Sequence, residues 1–330
     1  MHIEAFRAAE AFDQLAQQWY ELLGQSAVAT PFQRVEFQRP WWAHFGIGEL
    51  CLLAVRHDDA LVGLASLYVD EEAVLRWVGG EDISDYLDVI ARDVDIPVVR
   101  RVVFDWLAGE EAPDWKHARL ANIPEWSESA RHLQKMAAEH GWEADVVVQD
   151  VCPQCPLRND FDAYMAGLEG KQRREIRRKL RRAAAEGARA VFIDPGEENH
   201  AAIDDFISLM QASGPAKAAF LSPQMHAAFG DILRGTQASG LLGLCFLELE
   251  GRRLSAYAYF SMGGTVYLYN SGYDPGPHAA LSPGWVLLAQ LIERVIESGH
   301  KHFDFMRGDE SYKYKFGGEN VRVLRLTVSR

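Results

Sequence analysis

Apolar residues in the first part of the chain follow two different periodicities. Over residues 8–23 they recur every three or four positions, as at Leu15 and Trp19, which predicts an amphipathic helix. The runs 50–55 and 61–69 are almost continuously apolar and flank a polar turn, so they predict the two strands of a hairpin. Other segments predict helices over 32–45, 96–107 and 129–140 and strands over 73–78 and 117–121.

The second half of the chain shows the same mixture of periods. Residues 161–186 predict one long helix or a pair of helices. Glycine-containing turns separate three apolar runs, so we expect successive strands over 241–249, 253–261 and 265–270. The other predicted elements are helices over 201–212, 223–235 and 283–298 and strands over 190–193, 302–306 and 321–328. Because helices and strands are interspersed, the predicted class is α/β or α+β.

Length and charge indicate two domains. At about 150 residues per domain, a chain of 330 residues predicts two, and we place them at 1–150 and 151–330. The net charge of −13 is unevenly distributed: residues 1–150 carry 12 basic and 27 acidic side chains, whereas residues 151–330 carry 22 and 20. The acidic first half argues against DNA as a partner, while the second half could meet an anion locally.

The sequence also suggests the compartment. No apolar stretch approaches the ~20 residues that a membrane span needs, and the first residues lack the pattern of a signal peptide. Four cysteines do not make a disulfide framework in a chain of this length, so we expect a cytoplasmic protein. Cys152 and Cys155 form a CxxC pair without a second pair, which we interpret as part of a loop before the second domain. We therefore expect no metal site.

A dense basic run opens the second domain. Eight of the twelve residues 171–182 are Lys or Arg, and Ile176, Leu180 and Ala184 form one narrow apolar stripe. The run is compatible with a solvated helix face. Because most of its members are arginine, which binds phosphates and carboxylates through two parallel hydrogen bonds, it is also compatible with an anionic ligand.

Two other segments are candidates for chemistry. Ser282 and Pro283 are typical of a helix start, and the adjacent Gly284 would leave room for a phosphate at the exposed N–H groups. Such groups occur at every helix start, so this feature is weak by itself. Residues 302–318 run from a strand into a loop rich in Asp, Tyr and Lys, and polar groups at the end of a strand are well placed for function.

Taken together, these segments resemble a known family. The stretches 162–182, 282–284 and 304–316, with 32–45 and 79–86 in the first half, are similar in order and spacing to GNAT-superfamily acetyltransferases of the CelD-like type. That type is related to the Fem-type (FemAB) aminoacyl transferases. The resemblance implies tandem GNAT-like domains, each with a mixed, mainly antiparallel sheet flanked by helices. In the family, a helix after a three-stranded meander meets the pyrophosphate of acetyl-CoA or another acyl-CoA.

The resemblance also implies roles for particular residues. The expected catalytic residues are Asp304, Asp309, Tyr312 and Lys313. The expected cofactor-binding residues are Ser282, Gly284, Tyr269 and Arg307, and the expected substrate-binding residues are Arg174, Arg178, Asp85 and Tyr86. The reaction would be direct attack of an amine on an acyl group, which needs a proton acceptor and accurate positioning rather than a covalent nucleophile.

Three functions remain open at this point. The first is transfer of an acyl group from acyl-CoA to an amino group of a sugar, polysaccharide or cell-envelope precursor. The second function is that of a Fem-type transferase that uses aminoacyl-tRNA. It stays open because residues 278–284 depart from the Q/R-x-x-G-x-G/A loop with which the family binds the phosphates of coenzyme A. The net charge of −13 makes tRNA the less favoured donor. The third is a GNAT fold that binds without catalysis.

Overall fold

The computed structural model describes residues 1–330 and divides into two compact units. The first unit contains Met1–Val151 and Val321–Arg330, and the second contains Cys152–Asn320. No helix is long and apolar enough to cross a membrane.

The first unit contains a sheet and four helices. Its strands are β1 (His2–Phe6), β2 (Glu49–His57), β3 (Ala60–Val69), β4 (Val74–Trp77), β5 (Ile90–Ala91), β6 (His117–Pro124) and the start of β7 (Glu143–Pro156). Its helices are α1 (Ala11–Leu23), α2 (Val35–Phe45), α3 (Ile96–Ala108) and α4 (Ser129–Glu139). Strands β1 to β4 pair antiparallel in sequence order, and β4 pairs parallel with β6 after the α3 crossover.

The second unit repeats this arrangement with more helices. Its remaining strands are β8 (Arg189–Ile193), β9 (Leu242–Leu249), β10 (Arg252–Met262), β11 (Thr265–Tyr273) and β12 (His302–Asp304). Its helices are α5 (Phe161–Gly167), α6 (Gly170–Ala185), α7 (His200–Ala212), α8 (Pro215–Phe220), α9 (Pro223–Ala238), α10 (Pro283–Glu297) and α11 (Ser311–Lys315). Strands β8 to β11 pair antiparallel, β11 pairs parallel with β12 after the α10 crossover, and β12 pairs antiparallel with the end of β7.

Helices cover both faces of the sheet in the second unit. Tyr259 faces the core that α5, α6 and α10 complete, whereas Phe260 packs with Tyr269 and Phe229, the latter from α9. Consecutive strand residues point to opposite faces, so α9 lies across the sheet from α10. Gly272 of β11 allows α7 to approach closely, because a Cβ there would lie 2.5 Å from the backbone nitrogen of Met210.

Strands β11 and β12 separate partway along their length. Their pairing covers Thr265–Tyr267, after which β11 continues to Tyr273 beside β10. The register also shifts here: Ala258 opposes Asn270, whereas Phe260 opposes Tyr267, which leaves one extra residue in β11. Such bulges bend a strand and re-aim its side chains, often next to active sites. A gap at the end of a parallel strand pair is thus built into the second unit.

The structure confirms the predicted α/β class with mixed, mainly antiparallel sheets. It also decides one open alternative and corrects two local expectations. Residues 161–186 form two helices, α5 and α6, which resolves the alternative that the sequence left open. The final strand, β13 (Glu319–Ser329), pairs antiparallel with β6, so residues 321–330 lie in the first unit and not in the second as expected. Cys152 and Cys155 lie in strand β7 and not in a loop, and burial raises the pKa of the Cys155 thiol to about 12.

Candidate active site in the second unit

Helix α10 begins beside the gap between β11 and β12. Ser282 adopts a left-handed conformation, with φ of 54°, and its carbonyl accepts the hydrogen bond of Val286 N–H at 3.1 Å. Non-glycine residues in this region are uncommon and are found at functional sites more often than elsewhere. Pro283 follows at the first helical position, as the sequence predicted. The first N–H groups of α10 thus point away from the helix, toward the space beside β11.

A cavity of about 240 Å³ lies at this helix start. Its walls are residues 271–274 at the end of β11, residues 282–285 of α10, Ala279 and Tyr257. The hydroxyl of Tyr257 donates to the carbonyl of Gly284 at 3.2 Å and closes the inner side. A Cβ at Gly284 would lie 3.5 Å from that hydroxyl, an ordinary contact, so glycine is not required here for packing. Its small size leaves the cavity wider, as expected for a ligand-binding cavity.

Basic helix α6 reaches the same helix start. Lys179 Nζ donates to Ser282 Oγ at 2.8 Å and lies 4.3 Å from the centroid of the Trp285 ring. Arg182 Nη1 donates to the carbonyl of Ala280 at 3.2 Å. Positive charge from Lys179 therefore lies next to Ser282 and Trp285, two residues that line the cavity, where it adds to the partial positive charge of the α10 N-terminus.

The residues that make this contact differ from the two arginines chosen from the sequence. Arg174 and Arg178 are exposed on α6, and their role in substrate binding stays a prediction. Lys179 was missed, although a sequence signal existed. It follows the buried Ile176 by three residues and precedes the buried Ala183 by four, so it borders the face that packs inward.

The positive charge at the cavity is only partly neutralised. Glu175 Oε1 lies 3.5 Å from Lys179 Nζ, whereas Lys315 Nζ approaches the same Trp285 ring at 5.4 Å. The pKa of Lys179 is lowered, chiefly because burial disfavours the charged form, and Arg178 and Lys315 lower it further. The negative charge of a bound anion would favour the charged form of Lys179 and so oppose this shift. This arrangement is therefore suited to a phosphate or carboxylate.

Lys313 organises the loop that follows β12. Its side chain is buried, and Nζ donates to the carbonyls of Met306, Arg307 and Gly308 at 2.9, 2.7 and 3.0 Å. Glu310 Oε2 lies 2.8 Å from the same nitrogen. These contacts fix the loop backbone, including that of Arg307, and they use the donors of the ammonium group.

Asp304 is equally well anchored. It is buried at the end of β12, where its carboxylate accepts hydrogen bonds from Gln154 Nε2 at 2.8 Å and from Met306 N–H at 2.7 Å. Asp309 lies exposed five residues further along the same loop. The catalytic roles predicted for both carboxylates stay predictions.

Tyr312 and Tyr269 lie on different sides of the site. Tyr312 packs against the core beneath α10, and burial, assisted by the charge of Glu310, raises its pKa above the usual value. Tyr269 packs against Phe229 and Phe260, with ring centroids 5.5 and 4.8 Å away. Its predicted contact with a cofactor stays a prediction.

Asp85 and Tyr86 are buried within the first unit. The Tyr86 ring contacts those of Phe32 and Trp126 at 6.4 and 4.9 Å, and its carbonyl accepts from Thr30 Oγ1 at 3.3 Å. Their predicted role in substrate binding stays a prediction.

The helix start that corresponds to α10 in the first unit has different chemistry. Helix α3, which follows the meander β2–β4 as α10 follows β9–β11, is preceded by Asp95. The carboxylate of Asp95 accepts from Arg92 Nε at 2.5 Å. The first unit thus has an Arg92–Asp95 ion pair at the helix start where the second unit has Ser282 in contact with Lys179.

The sequence also missed Lys217. This half-buried side chain on the short helix α8 reaches β11, where Nζ lies 3.1 Å from Asn270 Oδ1 and 3.1 Å from Ser271 Oγ. Burial lowers the pKa of Lys217 to about 8. The sequence offered no signal for it, because no helix was predicted between residues 212 and 223.

These features define a class of protein. A meander, a crossover helix whose start borders a cavity, and a parallel strand that separates from the meander are the elements expected of a GNAT domain. Residues 170–314 match the family described as the acetyltransferase (GNAT) domain. Residues 170–314 therefore form a GNAT domain, and the resemblance inferred from the sequence is confirmed.

Solved structures share the fold over nearly the whole chain. FemX superposes with a TM-score of 0.67 at 12% identity, covering 98% of this chain and 96% of FemX. L-PGS from Bacillus licheniformis gives 0.59 at 12% identity, covering 95% and 91%. A tandem GNAT protein from the clavulanic acid biosynthesis pathway gives 0.52 at 13% identity, covering 98% of both chains. A comparison with curated proteins gave no match. The fold is therefore that of tandem GNAT-like domains and is related to that of FemX.

Proposed function

We propose that the protein is an N-acyltransferase that moves an acyl group, in the first instance acetyl, from acyl-CoA to an amino group. The observation that carries this proposal is the cavity at the start of α10. There Lys179 adds positive charge to the helix N-terminus through its contact with Ser282, and Arg182 lies nearby on the carbonyl of Ala280. A diphosphate fits this chemistry, because it would accept from the helix N–H groups and from the lysine at once.

The residues of the second unit fit acyl-CoA as follows. Ser282, Gly284 and Lys179 would hold the diphosphate, while Trp285 keeps Lys179 in place through the contact with its ring. The thioester would supply an activated acyl carbon in the gap beside β11. The bulge and the fixed loop around Lys313 would position the acceptor amine against it, which is the main source of rate in a direct transfer.

Two predicted catalytic groups then take narrower roles. Tyr312 stays protonated at neutral pH, as tyrosine ordinarily does, so its hydroxyl can donate a proton to the leaving sulfur. Asp304 already accepts two hydrogen bonds and is suited to hold the loop and not to move protons.

The acceptor we propose is an amino group of a sugar, polysaccharide or cell-envelope precursor, as the family resemblance implies. The main alternative is aminoacyl transfer from charged tRNA. It is favoured by the likeness to FemX and by the exposed arginines of α6, which could bind a phosphate backbone. The net charge of −13 disfavours it.

Calorimetry with CoA and acetyl-CoA tests the donor. We expect micromolar binding, about −8 kcal/mol, to the wild-type protein and none to Gly284→Leu, in which the added side chain fills the cavity. Gly284→Ala is the matched control and should bind within a few-fold of wild type, because its Cβ makes only an ordinary contact. Wild-type protein that binds charged tRNA but not CoA would replace the leading proposal by the alternative.

A further inference from the structure

Lys217 connects helix α8 to the bulged end of β11. Its Nζ donates to Asn270 Oδ1 and to the hydroxyl of Ser271, each at 3.1 Å, and to the carbonyl of Ser271. Asn270 is the residue at which pairing with β10 resumes after the extra residue of β11. The amine is therefore held at the point where the two parallel strands have separated.

Ser271 gives this amine a connection to the cavity. It lines the cavity at the start of α10 and contacts Lys217 through its hydroxyl. A hydroxyl can donate and accept at the same time. When Lys217 is neutral, its lone pair can accept the hydroxyl proton while the oxygen accepts a proton from a group in the cavity.

We propose that Lys217 is the final acceptor of the proton that the attacking amine loses, and that Ser271 passes this proton on. The inference rests on the proposed function and names a proton route for it. The N–H proton of the acceptor moves to Ser271 Oγ as the hydroxyl proton moves to Lys217 Nζ. The nitrogen electron pair forms the new bond to the acyl carbon, and the carbon–sulfur bond breaks with its pair on sulfur. Lys217 then returns its proton to water.

The surroundings allow Lys217 to be neutral at working pH. Burial lowers its pKa to about 8, and the charge of Glu310, the second cause, acts in the opposite direction. Asn270 and Ser271 of β11 are uncharged, as are Met210 and Ser213 of α7, which pack against the same end of β11. A base whose pKa lies near ambient pH is the most effective kind.

A purely structural role is the competing explanation. In that explanation, Lys217 stays a charged ammonium group, and its three hydrogen bonds serve only to hold the bulge in place. Arginine separates the two roles, because it can donate to the same acceptors but does not lose its proton in proteins. The role proposed here acts through Ser271, so Lys217 is a positioning and proton-accepting residue.

The first test measures the amine without turnover. Competitive labelling with acetic anhydride over a pH series, read by mass spectrometry of the Lys217 peptide, should give a pKa near 8. A short model peptide with one lysine, labelled in the same series, is the reference and has the ordinary pKa of about 10.4. A Lys217 that titrates with this reference would overturn the inference, whatever the enzyme does with CoA.

The second test uses acetyl-CoA and glucosamine as the surrogate acceptor. In the wild type, kcat should rise with pH through about 8, because the neutral amine is the active form. Lys217→Arg and Ser271→Ala should each lower kcat by roughly 10²–10⁴-fold, with little change in KM for acetyl-CoA, and should lose this limb of the pH profile. A Lys217→Arg enzyme with the wild-type profile would leave Lys217 only a structural role.

A chemically modified variant tests directly whether the amine at residue 217 causes this pH dependence of kcat. Lys217→Cys treated with bromoethylamine regains an amine that is more acidic than lysine, and the four native cysteines are buried. Activity should return, and the rise of kcat with pH should occur at lower pH than in the wild type. If the rise stayed at the same pH, it would have to be assigned to a group other than residue 217. Failure of CoA to bind the wild type would instead defeat the proposed function itself, an outcome that calorimetry reports separately from the labelling.

Discussion

Replacing Lys179 by methionine is expected to weaken CoA binding roughly 10- to 150-fold, the equivalent of 1.5–3 kcal/mol for one charge-assisted contact. Methionine keeps the length of the side chain and its packing on Trp285 but removes the positive charge beside Ser282. The change should appear in the Kd measured by calorimetry at fixed salt, since screening weakens charge contacts.

The matched control is the double variant Arg174→Met, Arg178→Met. Both arginines are exposed on the same helix, so it removes twice the charge without removing the contact with the α10 start. We expect its Kd for CoA to change less than that of Lys179→Met. A larger loss in the double variant would show that the exposed face of α6, and not the helix start, holds the anion.

Replacing Lys313 by methionine is expected to destabilise the second unit by about 3–5 kcal/mol, the range for breaking a buried charged contact. The ammonium satisfies three backbone carbonyls of residues 306–308 and is 2% exposed, so its loss leaves those carbonyls without their donor. Urea unfolding with a probe for the second unit measures the difference. Hydrogen exchange should also become faster at residues 306–310.

Lys315→Met is the control for this prediction. Lys315 lies two residues further along α11 and contacts the Trp285 ring at 5.4 Å, without a buried set of acceptors. Its loss should cost less than ~1 kcal/mol. If the two variants were equally stable while only Lys313→Met lost activity, Lys313 would act in the chemistry and not in holding the loop.

The sequence predicted more of the fold than of the candidate site. Period and turn residues are local, so the meander over 241–270 and the helix after Ser282 followed from them directly. The separation of α5 from α6 lay within reach, since a helix pair was one of two expectations. The pairing of the last strand with β6 could not be predicted, because pairing between residues far apart in sequence is decided by tertiary contacts.

The choice among basic residues on α6 shows the same limit. The sequence gives the phase of the helix, and with it the boundary position of Lys179 between Ile176 and Ala183. It does not reveal which loop meets that boundary. The role of Lys217 was further out of reach, because a six-residue helix leaves too little periodicity to detect.

The position of β13 determines when the first unit can be completed during synthesis. Strand β6 and its parallel partner β4 both lie in the first 124 residues, but the antiparallel partner of β6 lies in residues 319–329. At 5–20 residues per second, the ribosome needs about 10–40 s to make residues 125–318, which lie between the two strands. During this interval one edge of β6 lacks its final partner, and unpaired edges invite association with other chains. The second unit thus has time to fold before β13 completes the first.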